Sequence, residues 1–239
     1  YCTPLGGAAK LDHQDILSYE EFLRLIQIAV DMGITKVRLT GGEPLVRKGV
    51  THFCRRLAGL PGLQSLSLTT NGILLEELAE DLYSVGIRRV NISLDTLQPQ
   101  KFLHITRRDD FDRVWRGIQA AEHARFNPIK INVVVMRGIN DDEVLELAKL
   151  TLERPYHIRF IEFMSINGDS QWVLQHYVSS DEILEKLLTV APLEPIVSQH
   201  TNGPARHFRW PDAKGIVGTI SPISHHFCPS CNRIRLTAA

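Results

Sequence analysis

Two of the four cysteines stand close enough together to share one metal centre. Cys228 and Cys231 enclose a Pro-Ser dipeptide, and this CxxC spacing lets two thiolates hold one metal ion or one iron–sulfur cluster. A zinc half-site completed by His225 or His226, or a redox dithiol, would use the same spacing. Because the chain has no second CxxC and no HxxxH motif, it does not supply a complete structural zinc site.

The other two cysteines have different surroundings. Cys54 lies among Phe53, Leu57 and Leu60 in a predicted helix, so we interpret it as part of the core. Cys2 taken alone would be a lone thiol, which is more often inert than reactive. Four cysteines are few for a secreted scaffold of this length, so a reducing, cytoplasmic compartment fits best.

A glycine-rich loop follows a predicted strand and has the composition of a ligand-binding turn. Gly41 and Gly42 would let the backbone approach a ligand closely, and Glu43 would offer an acceptor to a ligand amine. The alternative is an ordinary tight loop between a strand and a helix. The glycines by themselves do not separate these two interpretations.

Three basic residues occupy positions that favour an anionic ligand. Lys130 lies in an apolar strand, where a buried ammonium group needs a partner or an anion. Arg233 and Arg235 follow Cys231 at i, i+2 spacing, so in an extended segment both guanidinium groups would point to the same side and could bind an anion or a base edge. The alternative is a solvated, salt-bridged strand face.

Alternating strands and helices must position these residues. Short apolar, β-branched runs predict strands that begin at Thr35, Gln64, Arg88, Ile129 and His157. Helical patterns between them cover Thr51 to Leu57, Leu74 to Tyr83, Asp110 to Arg125 and Asp141 to Glu153. This alternation is typical of βαβ units with a parallel sheet, arranged either as a barrel or as an open doubly wound sheet.

Polar residues at the predicted strand ends would meet at one rim of such a sheet. They are Thr40, Thr69 to Asn71, Ser93, Asp95 and Glu162. In a β/α barrel the carboxyl-terminal rim carries the chemistry, so these positions predict one shared site.

Two capping boxes mark further helix starts, and the chain changes character after Met164. Ser18 with Glu21, and Ser179 with Glu182, have the spacing of a capping box. Beyond Met164, proline and glycine recur often, and short strands are predicted from Arg206 to Trp210 and from Ile216 to Ile220. We interpret this part as a C-terminal extension.

The composition excludes several classes of function. The chain has 239 residues, and its 27 Lys plus Arg residues balance its 27 Asp plus Glu residues, which argues against a broad nucleic-acid surface. No apolar run approaches the roughly 20 residues that span a bilayer, and no secretory signal is present. We therefore expect neither nucleic acid nor membrane as a partner. Because the sequence begins at Tyr1 and stops at Ala239 within a pattern, we expect both ends to be cut.

Six segments, taken together and in order, resemble the GTP 3′,8-cyclase family of radical S-adenosylmethionine (SAM) enzymes, which act in molybdenum cofactor biosynthesis. They are Tyr1-Cys2, KVRLTGGEPLVR, LTTNG, VNISLDTL, RFIEFM and FCPSCNRIRLTA. GGEP alone would indicate only the wider radical SAM superfamily, whereas the CxxCNRIRLTA segment indicates the family.

The resemblance implies an α/β fold: an incomplete (β/α)6 TIM-like barrel in residues 1–165, with an extension in residues 166–239 that closes its open side. It also implies two [4Fe–4S] clusters. Cys2 matches one ligand of the first cluster, whose other ligands would precede Tyr1. Cys228 and Cys231 match two of the three ligands of the second cluster, and the third would follow Ala239.

The resemblance also assigns binding roles, residue by residue. Positions that hold SAM are matched by Tyr1, Gly42, Ser93 and Met164, with Glu43 in the same loop. Positions that bind the nucleotide are matched by Arg38, Thr69, Lys130, Arg233 and Arg235, to which we add Lys36 and Arg159.

By this resemblance the chain converts GTP to (8S)-3′,8-cyclo-7,8-dihydroguanosine 5′-triphosphate. A 5′-deoxyadenosyl radical made from SAM would abstract the ribose H3′, and the C3′ radical would attack guanine C8. The cofactors carry this chemistry, so Arg233 and Arg235 are expected to position the substrate and no conventional catalytic residue is expected. The implied partners are a one-electron reductant, cyclic pyranopterin monophosphate synthase as recipient of the product, and a second copy of the chain. The alternatives are another radical SAM enzyme, or a non-catalytic zinc-binding or redox scaffold.

Overall fold

The computed structural model describes residue 12 and residues 15–164, 170–196, 203–228 and 231–238. The chain divides into two compact units. Within the described ranges, the N-terminal unit comprises residues 12, 15–92, 112–129 and 235–238, and the C-terminal unit comprises residues 93–111, 130–164, 170–196, 203–228 and 231–234. The boundary expected between residues 165 and 166 falls outside the described residues and stays a prediction.

The described residues form eight strands and eight α-helices, together with a short 3₁₀ helix at Pro44–Val46. In chain order they are α1 (Tyr19–Asp31), β1 (Lys36–Leu39), α2 (Val50–Ala58), β2 (Ser65–Thr70), α3 (Leu75–Ser84), β3 (Arg89–Ser93), α4 (Pro99–Thr106), α5 (Phe111–His123), β4 (Ile129–Val135), α6 (Val144–Glu153), β5 (His157–Glu162), α7 (Ser170–His176), α8 (Ser180–Leu188), β6 (Glu194–Pro195), β7 (Ala205–Arg209) and β8 (Ile216–Ile220).

Helix α1 begins where its sequence predicts and contacts the loop that follows β1. The Ser18 hydroxyl accepts a hydrogen bond from the Glu21 amide (3.2 Å), and the Glu21 carboxylate accepts one from the Ser18 amide (2.7 Å), which confirms the capping box. Tyr19 stacks on Phe53 of α2, with ring centroids 4.4 Å apart. The Arg47 guanidinium lies 4.4 Å from the centre of the Tyr19 ring, so this aromatic pair also anchors the loop.

Strands β1, β2 and β3 form a parallel sheet with one polar and one apolar face. Arg38 is aligned with Ser67, and Ser67 with Arg89. Because side chains alternate along a strand, the residues between these positions point to the other face. That face is apolar and contains Val37, Leu39, Leu66, Leu68, Val90 and Ile92. The polar face therefore carries Lys36 and Arg38, two of the basic residues predicted to bind a ligand.

In the C-terminal unit, β4, β5 and β8 are parallel neighbours, and β7 and β6 add antiparallel edge strands. The strand Ile216–Ile220, which the sequence pattern assigned to the C-terminal extension, thus continues the parallel sheet of β4 and β5. Four of its five residues are buried, as expected for a strand with a neighbour on each side.

Helices α6 and α8 both contact β5 in this unit. The capping box at Ser179 is confirmed, because its hydroxyl accepts the Glu182 amide (3.2 Å) and the Glu182 carboxylate accepts the Ser179 amide (3.2 Å). Trp210 is 1% exposed, and its indole N–H donates to the Leu187 carbonyl of α8 (3.2 Å). The end of β7 is therefore attached to α8.

The predicted elements agree closely with the observed ones. Each of the five strands of the alternating region begins within one residue of its predicted start. Helices α4 and α7 were not predicted, because each is short and its apolar residues fill barely two turns. Within the described ranges, no helix has the length and apolar character needed to cross a bilayer.

Candidate functional site

Glu43 attaches the Gly-Gly-Glu-Pro loop to the carboxyl end of β2. Its Oε1 accepts hydrogen bonds from the Leu45 amide (3.0 Å) and the Thr70 hydroxyl (2.8 Å), and its Oε2 accepts one from the Asn71 amide (2.7 Å). Three donors to one carboxylate fix the course of the loop. Glu43 is thus a positioning residue, while its predicted contact with a ligand amine stays a prediction.

The two glycines of this loop leave room for a ligand. Gly41 has a φ of +142°, a conformation that favours glycine. A Cβ built on Gly42 would meet no atom of the described chain within 4 Å, apart from its immediate neighbours. Gly42 is exposed, so its backbone is open to close approach. The contact of Gly42 with SAM that the family resemblance implies stays a prediction.

A Gly42→Val variant is expected to fold as the parent does but to bind SAM at least about tenfold more weakly, a loss of about 1.4 kcal/mol. The protein has space for the added side chain, whereas a bound ligand would compete for that space. Equilibrium SAM binding to the reconstituted protein measures the loss, and Gly42→Ala should give an intermediate value. Parental affinity in the valine variant would refute the role of Gly42.

The polar face of the N-terminal unit gathers three of the predicted nucleotide-binding residues. Lys36 and Arg38 are exposed and two positions apart on β1. The Arg38 Nε lies 3.4 Å from the Ser67 Oγ. Thr69 is half-buried, and its hydroxyl accepts a hydrogen bond from the Asn91 side-chain amide (3.0 Å). With Arg89, which is aligned with Ser67, the face thus combines three cations with fixed hydroxyl groups.

The C-terminal unit presents a second basic face. Lys130 is aligned with His157, and the next row across the sheet contains Arg159, Gly218 and His207. A Cβ on Gly218 would lie 3.2 Å from the His207 ring and 3.7 Å from the Arg159 Cγ, so this glycine lets both side chains share the face. Arg159 is buried, at 9% exposure. Lys130 is half-buried rather than buried as the sequence predicted, because it lies near the amino end of β4.

The two histidines of this face are held neutral. Burial lowers the pKa of His157 to about 3, and the charges of Lys130 and Arg159 add to that effect. Burial likewise lowers the pKa of His207 to about 4, again with help from Arg159 and Lys130. Sequence analysis did not select either residue. The only signal in the sequence was that each histidine lies in a predicted strand two positions from an arginine, so that both side chains point to the same face.

These depressed pKa values predict acid destabilisation of the free protein. The unfolded chain takes up protons on both histidines near pH 6.5, whereas the folded protein does so only near pH 4 and below. The free energy of unfolding should therefore fall as the pH drops from 6.5 towards 4, by up to about 1.4 kcal/mol per pH unit for each histidine. Denaturant titrations of the parent and of His157→Asn/His207→Asn check this, since the double variant should lose that part of the slope. Identical slopes would contradict it.

Glu162 organises the carboxyl end of β5. Its side chain is 1% exposed. Oε2 accepts hydrogen bonds from the amides of Ile223 (2.9 Å) and Ser224 (3.0 Å), while Oε1 accepts the Ser180 amide (2.8 Å) and the Ser224 hydroxyl. Burial by itself would raise the pKa of this carboxyl, but the hydrogen bonds outweigh it and the pKa is lowered. An ionised Glu162 thus anchors the segment that leads to Cys228.

Cys228 and Cys231 lie on one turn as exposed, free thiols. The Cys231 amide donates to the Cys228 carbonyl (3.1 Å). The His225 Nε2 is 3.0 Å from both carboxylate oxygens of Asp181, so this histidine is already engaged. Among the residues with described positions, no three His, Cys, Asp or Glu side chains gather into a metal site. Such a pair can supply two thiolates to an iron–sulfur cluster or to a zinc ion.

Of five further predicted residues, one is buried, two are exposed and two lie outside the described ranges. Cys54 is fully buried, which confirms its place in the core, and burial raises the pKa of its thiol to about 12. Ser93 is exposed at the end of β3, and Met164 is exposed just after β5. Tyr1 and Cys2 lie outside the described residues.

Arg233 and Arg235 are exposed in residues 231–238, a segment that contains neither helix nor strand. The sequence allowed for an extended strand with both guanidinium groups on one face, and the structure shows no strand there. A Cβ on Gly203 would lie 3.1 Å from the Arg233 Nη2, which places Arg233 beside that glycine.

The sequence comparisons match this chain to two family profiles. The Radical SAM superfamily profile matches residues 1–151, and the Molybdenum Cofactor Synthesis C profile matches residues 156–239. The GTP 3′,8-cyclases of Moorella thermoacetica and Gloeobacter violaceus are each 51% identical to this chain, over 100% of it and over 73% and 74% of their own lengths. The GTP 3′,8-cyclase of Thermodesulfovibrio yellowstonii is 48% identical, over 100% of this chain and 74% of its own.

Solved structures share the fold at low sequence identity. A radical SAM methyltransferase from Sphaerobacter thermophilus matches with a TM-score of 0.56 at 16% identity, covering 73% of this chain and 55% of that protein. A domain of a pyruvate-formate lyase-activating enzyme from Bacteroides vulgatus matches with a TM-score of 0.50 at 18% identity, covering 64% and 91%. The predicted fold class, an incomplete TIM-like barrel of the radical SAM type, is confirmed. By the two family profiles, and by its similarity to these cyclases over the whole of this chain, the chain belongs to the GTP 3′,8-cyclase family of radical SAM enzymes.

Proposed function

We propose that this chain converts GTP to (8S)-3′,8-cyclo-7,8-dihydroguanosine 5′-triphosphate in molybdenum cofactor biosynthesis. The observation that carries this function is an identity of 51% with a GTP 3′,8-cyclase across the whole of this chain. The chain contains both the radical SAM part and the molybdenum cofactor synthesis part of such a protein. The exposed cysteine thiols and the basic faces of the two units are consistent with this function.

We assign residues of this chain to the two kinds of cofactor that the family uses, with Tyr1 and Cys2 outside the described ranges. Cys228 and Cys231 would supply two thiolates to the second [4Fe–4S] cluster, and Cys2 would supply one to the first. Gly42, with its open backbone, would take the methionine part of SAM, with Ser93, Met164 and Tyr1 as further contacts. When bound, these groups supply the one-electron chemistry and the 5′-deoxyadenosyl radical that removes the ribose H3′ of GTP.

The chain's own contribution is to bind and orient GTP. A triphosphate carries several negative charges, so more than one cation is needed to hold it. Lys130 and Arg159 offer such a set on the C-terminal unit, and Lys36 and Arg38 offer one on the N-terminal unit. We assign Thr69, Arg233 and Arg235 to further contacts with the nucleotide. Because none of these residues needs to give or take a proton, they act by position.

The partners follow from the reaction. A one-electron reductant must supply each turnover, and cyclic pyranopterin monophosphate synthase would consume the product. We also propose a homodimer and a cytoplasmic location, the latter because so few cysteines suit a reducing compartment. We propose residues 1–165 and 166–239 as the barrel part and the extension.

Anaerobic turnover tests the proposed function directly. The full-length protein is reconstituted with iron and sulfide, and then incubated with GTP, SAM and dithionite. We expect both 5′-deoxyadenosine and the cyclised nucleotide by mass spectrometry, and no cyclised nucleotide when either SAM or reductant is omitted. Formation of 5′-deoxyadenosine without cyclised nucleotide would indicate another radical SAM activity. The absence of both products from a protein with full iron content would favour a non-catalytic scaffold.

A further inference from the structure

On the basic face of the C-terminal unit, two histidine rings each have one buried nitrogen that forms no hydrogen bond with the described residues. They are the Nδ1 of His157 and the Nε2 of His207. The two ring centroids are 6.5 Å apart at an interplanar angle of 67°. A buried polar atom without a partner costs free energy, so such atoms are expected to face a ligand or water that the protein binds.

Three cations on the described strands act on this histidine pair, and one carboxylate, Glu194 of β6, is in register with Arg209. Lys130 acts from β4, Arg159 from β5 and Arg209 from β7, and all three lower the pKa of His157. Strand β8, which lies between β5 and β7, contains no titratable residue. These cations add to burial, which is the larger cause, in opposing protonation of either imidazole.

We propose that His157 and His207 form a proton-accepting pair that couples binding of the GTP triphosphate to proton uptake. The inference rests on the proposed function, which brings a polyanion to Lys130 and Arg159. Burial is the larger cause that keeps the imidazoles neutral, and the cations add to it. A triphosphate beside the pair brings several negative charges, which act against both effects and raise the pKa of the histidines. Solvent supplies the proton to one nitrogen of an imidazole, whose N–H then donates a hydrogen bond to a phosphate oxygen.

The coupling predicts that the affinity for GTP rises as the pH falls. Linkage requires that a ligand whose binding adds one proton binds tenfold more tightly for each unit by which the pH falls. The free pair stays neutral at pH 6 to 7, so uptake begins only with binding. Guanosine carries no phosphate and should bind without this proton.

Titration calorimetry in buffers of different ionisation enthalpy measures the protons taken up per bound ligand. The reconstituted holoenzyme is titrated with GTP at pH 7.0 and pH 6.0 in parallel with His157→Asn, His207→Asn and the double variant. His123→Asn, an exposed histidine on α5 of the other unit, is the matched control. Because parent and variants meet the same ligand at the same pH, the ionisation of GTP itself cancels in the comparison.

We expect the parent and His123→Asn to take up more protons per GTP than the double variant, and the ratio of their affinities to grow by up to about tenfold between pH 7.0 and 6.0. Each single variant should lose part of the effect. Equal proton uptake by the parent and a folded, GTP-binding double variant would overturn the coupling while leaving the proposed function intact. If the parent itself binds no GTP, the proposed function fails instead.

Discussion

A Cys231→Ala variant of the full protein is expected to keep cleaving SAM and to form no cyclised product. Cys231 shares one turn with Cys228, and both thiols are exposed and free to coordinate. Removing one of two adjacent thiolates should empty or degrade the second cluster, whereas the first cluster relies on other cysteines. The iron content should fall by about half of the eight atoms that two [4Fe–4S] clusters contain, and product formation should drop below detection.

Cys54→Ala is the matched control for this experiment. Cys54 is fully buried, and its thiol, with a pKa near 12, does not ionise. That variant should lose some packing but keep the parental iron content and the parental ratio of product to 5′-deoxyadenosine. Cys231→Ala protein with unchanged iron would contradict the assignment of the cysteine pair. If it lost iron and still made cyclised nucleotide, the second cluster would have no part in the reaction.

The helices and strands of this chain could be predicted from the sequence because the interactions that start and end them join residues close together in the chain. Ser18 and Glu21 are three residues apart, and the same amides and side chains that define a capping box bond to each other in the structure. Strand starts followed from apolar runs and turn residues. The short helix α4 lacked a signal of this kind, since its Pro99 marks a possible first turn without fixing how far the helix continues.

The connections that hold the candidate site together depend on residues far apart in the chain. Glu43 reaches Thr70 and Asn71, and Glu162 reaches Ser224, so no local pattern identifies the partner of either carboxylate. The sequence did mark Glu43 as an acceptor in the loop after a strand and Glu162 as a polar residue at a strand end. It could not show that hydrogen bonds from the protein itself occupy both carboxylates.

The histidine pair was missed for a related reason. His157 and His207 are fifty residues apart in sequence and share one face only because β8 pairs with β5 on one side and β7 on the other. Gly218 then determines how closely His207 and Arg159 approach. A side chain at position 218 would separate His207 from Arg159. The residues next to either histidine in the sequence do not indicate this approach.

An Arg235→Ala variant is expected to release 5′-deoxyadenosine but to form cyclised nucleotide about 100-fold more slowly. Arg235 is exposed in a segment without regular structure, so truncating its side chain should cost the fold little. Guanine is neutral, and the proposed role of this guanidinium is therefore to fix the orientation of the nucleotide. Misplacing a reacting group by about 1 Å is enough to reduce a rate by about 100-fold.

Two further variants separate orientation from charge. Arg235→Lys keeps the positive charge but loses the planar pair of donors, so a purely electrostatic role predicts near-parental product, whereas an orienting role predicts most of the loss seen with alanine. Arg24→Ala removes an exposed arginine from α1 and should leave both products unchanged. The ratio of cyclised nucleotide to 5′-deoxyadenosine is the decisive quantity, because weaker substrate binding alone is overcome at saturating GTP. A parental ratio in Arg235→Ala would leave this residue as ordinary surface.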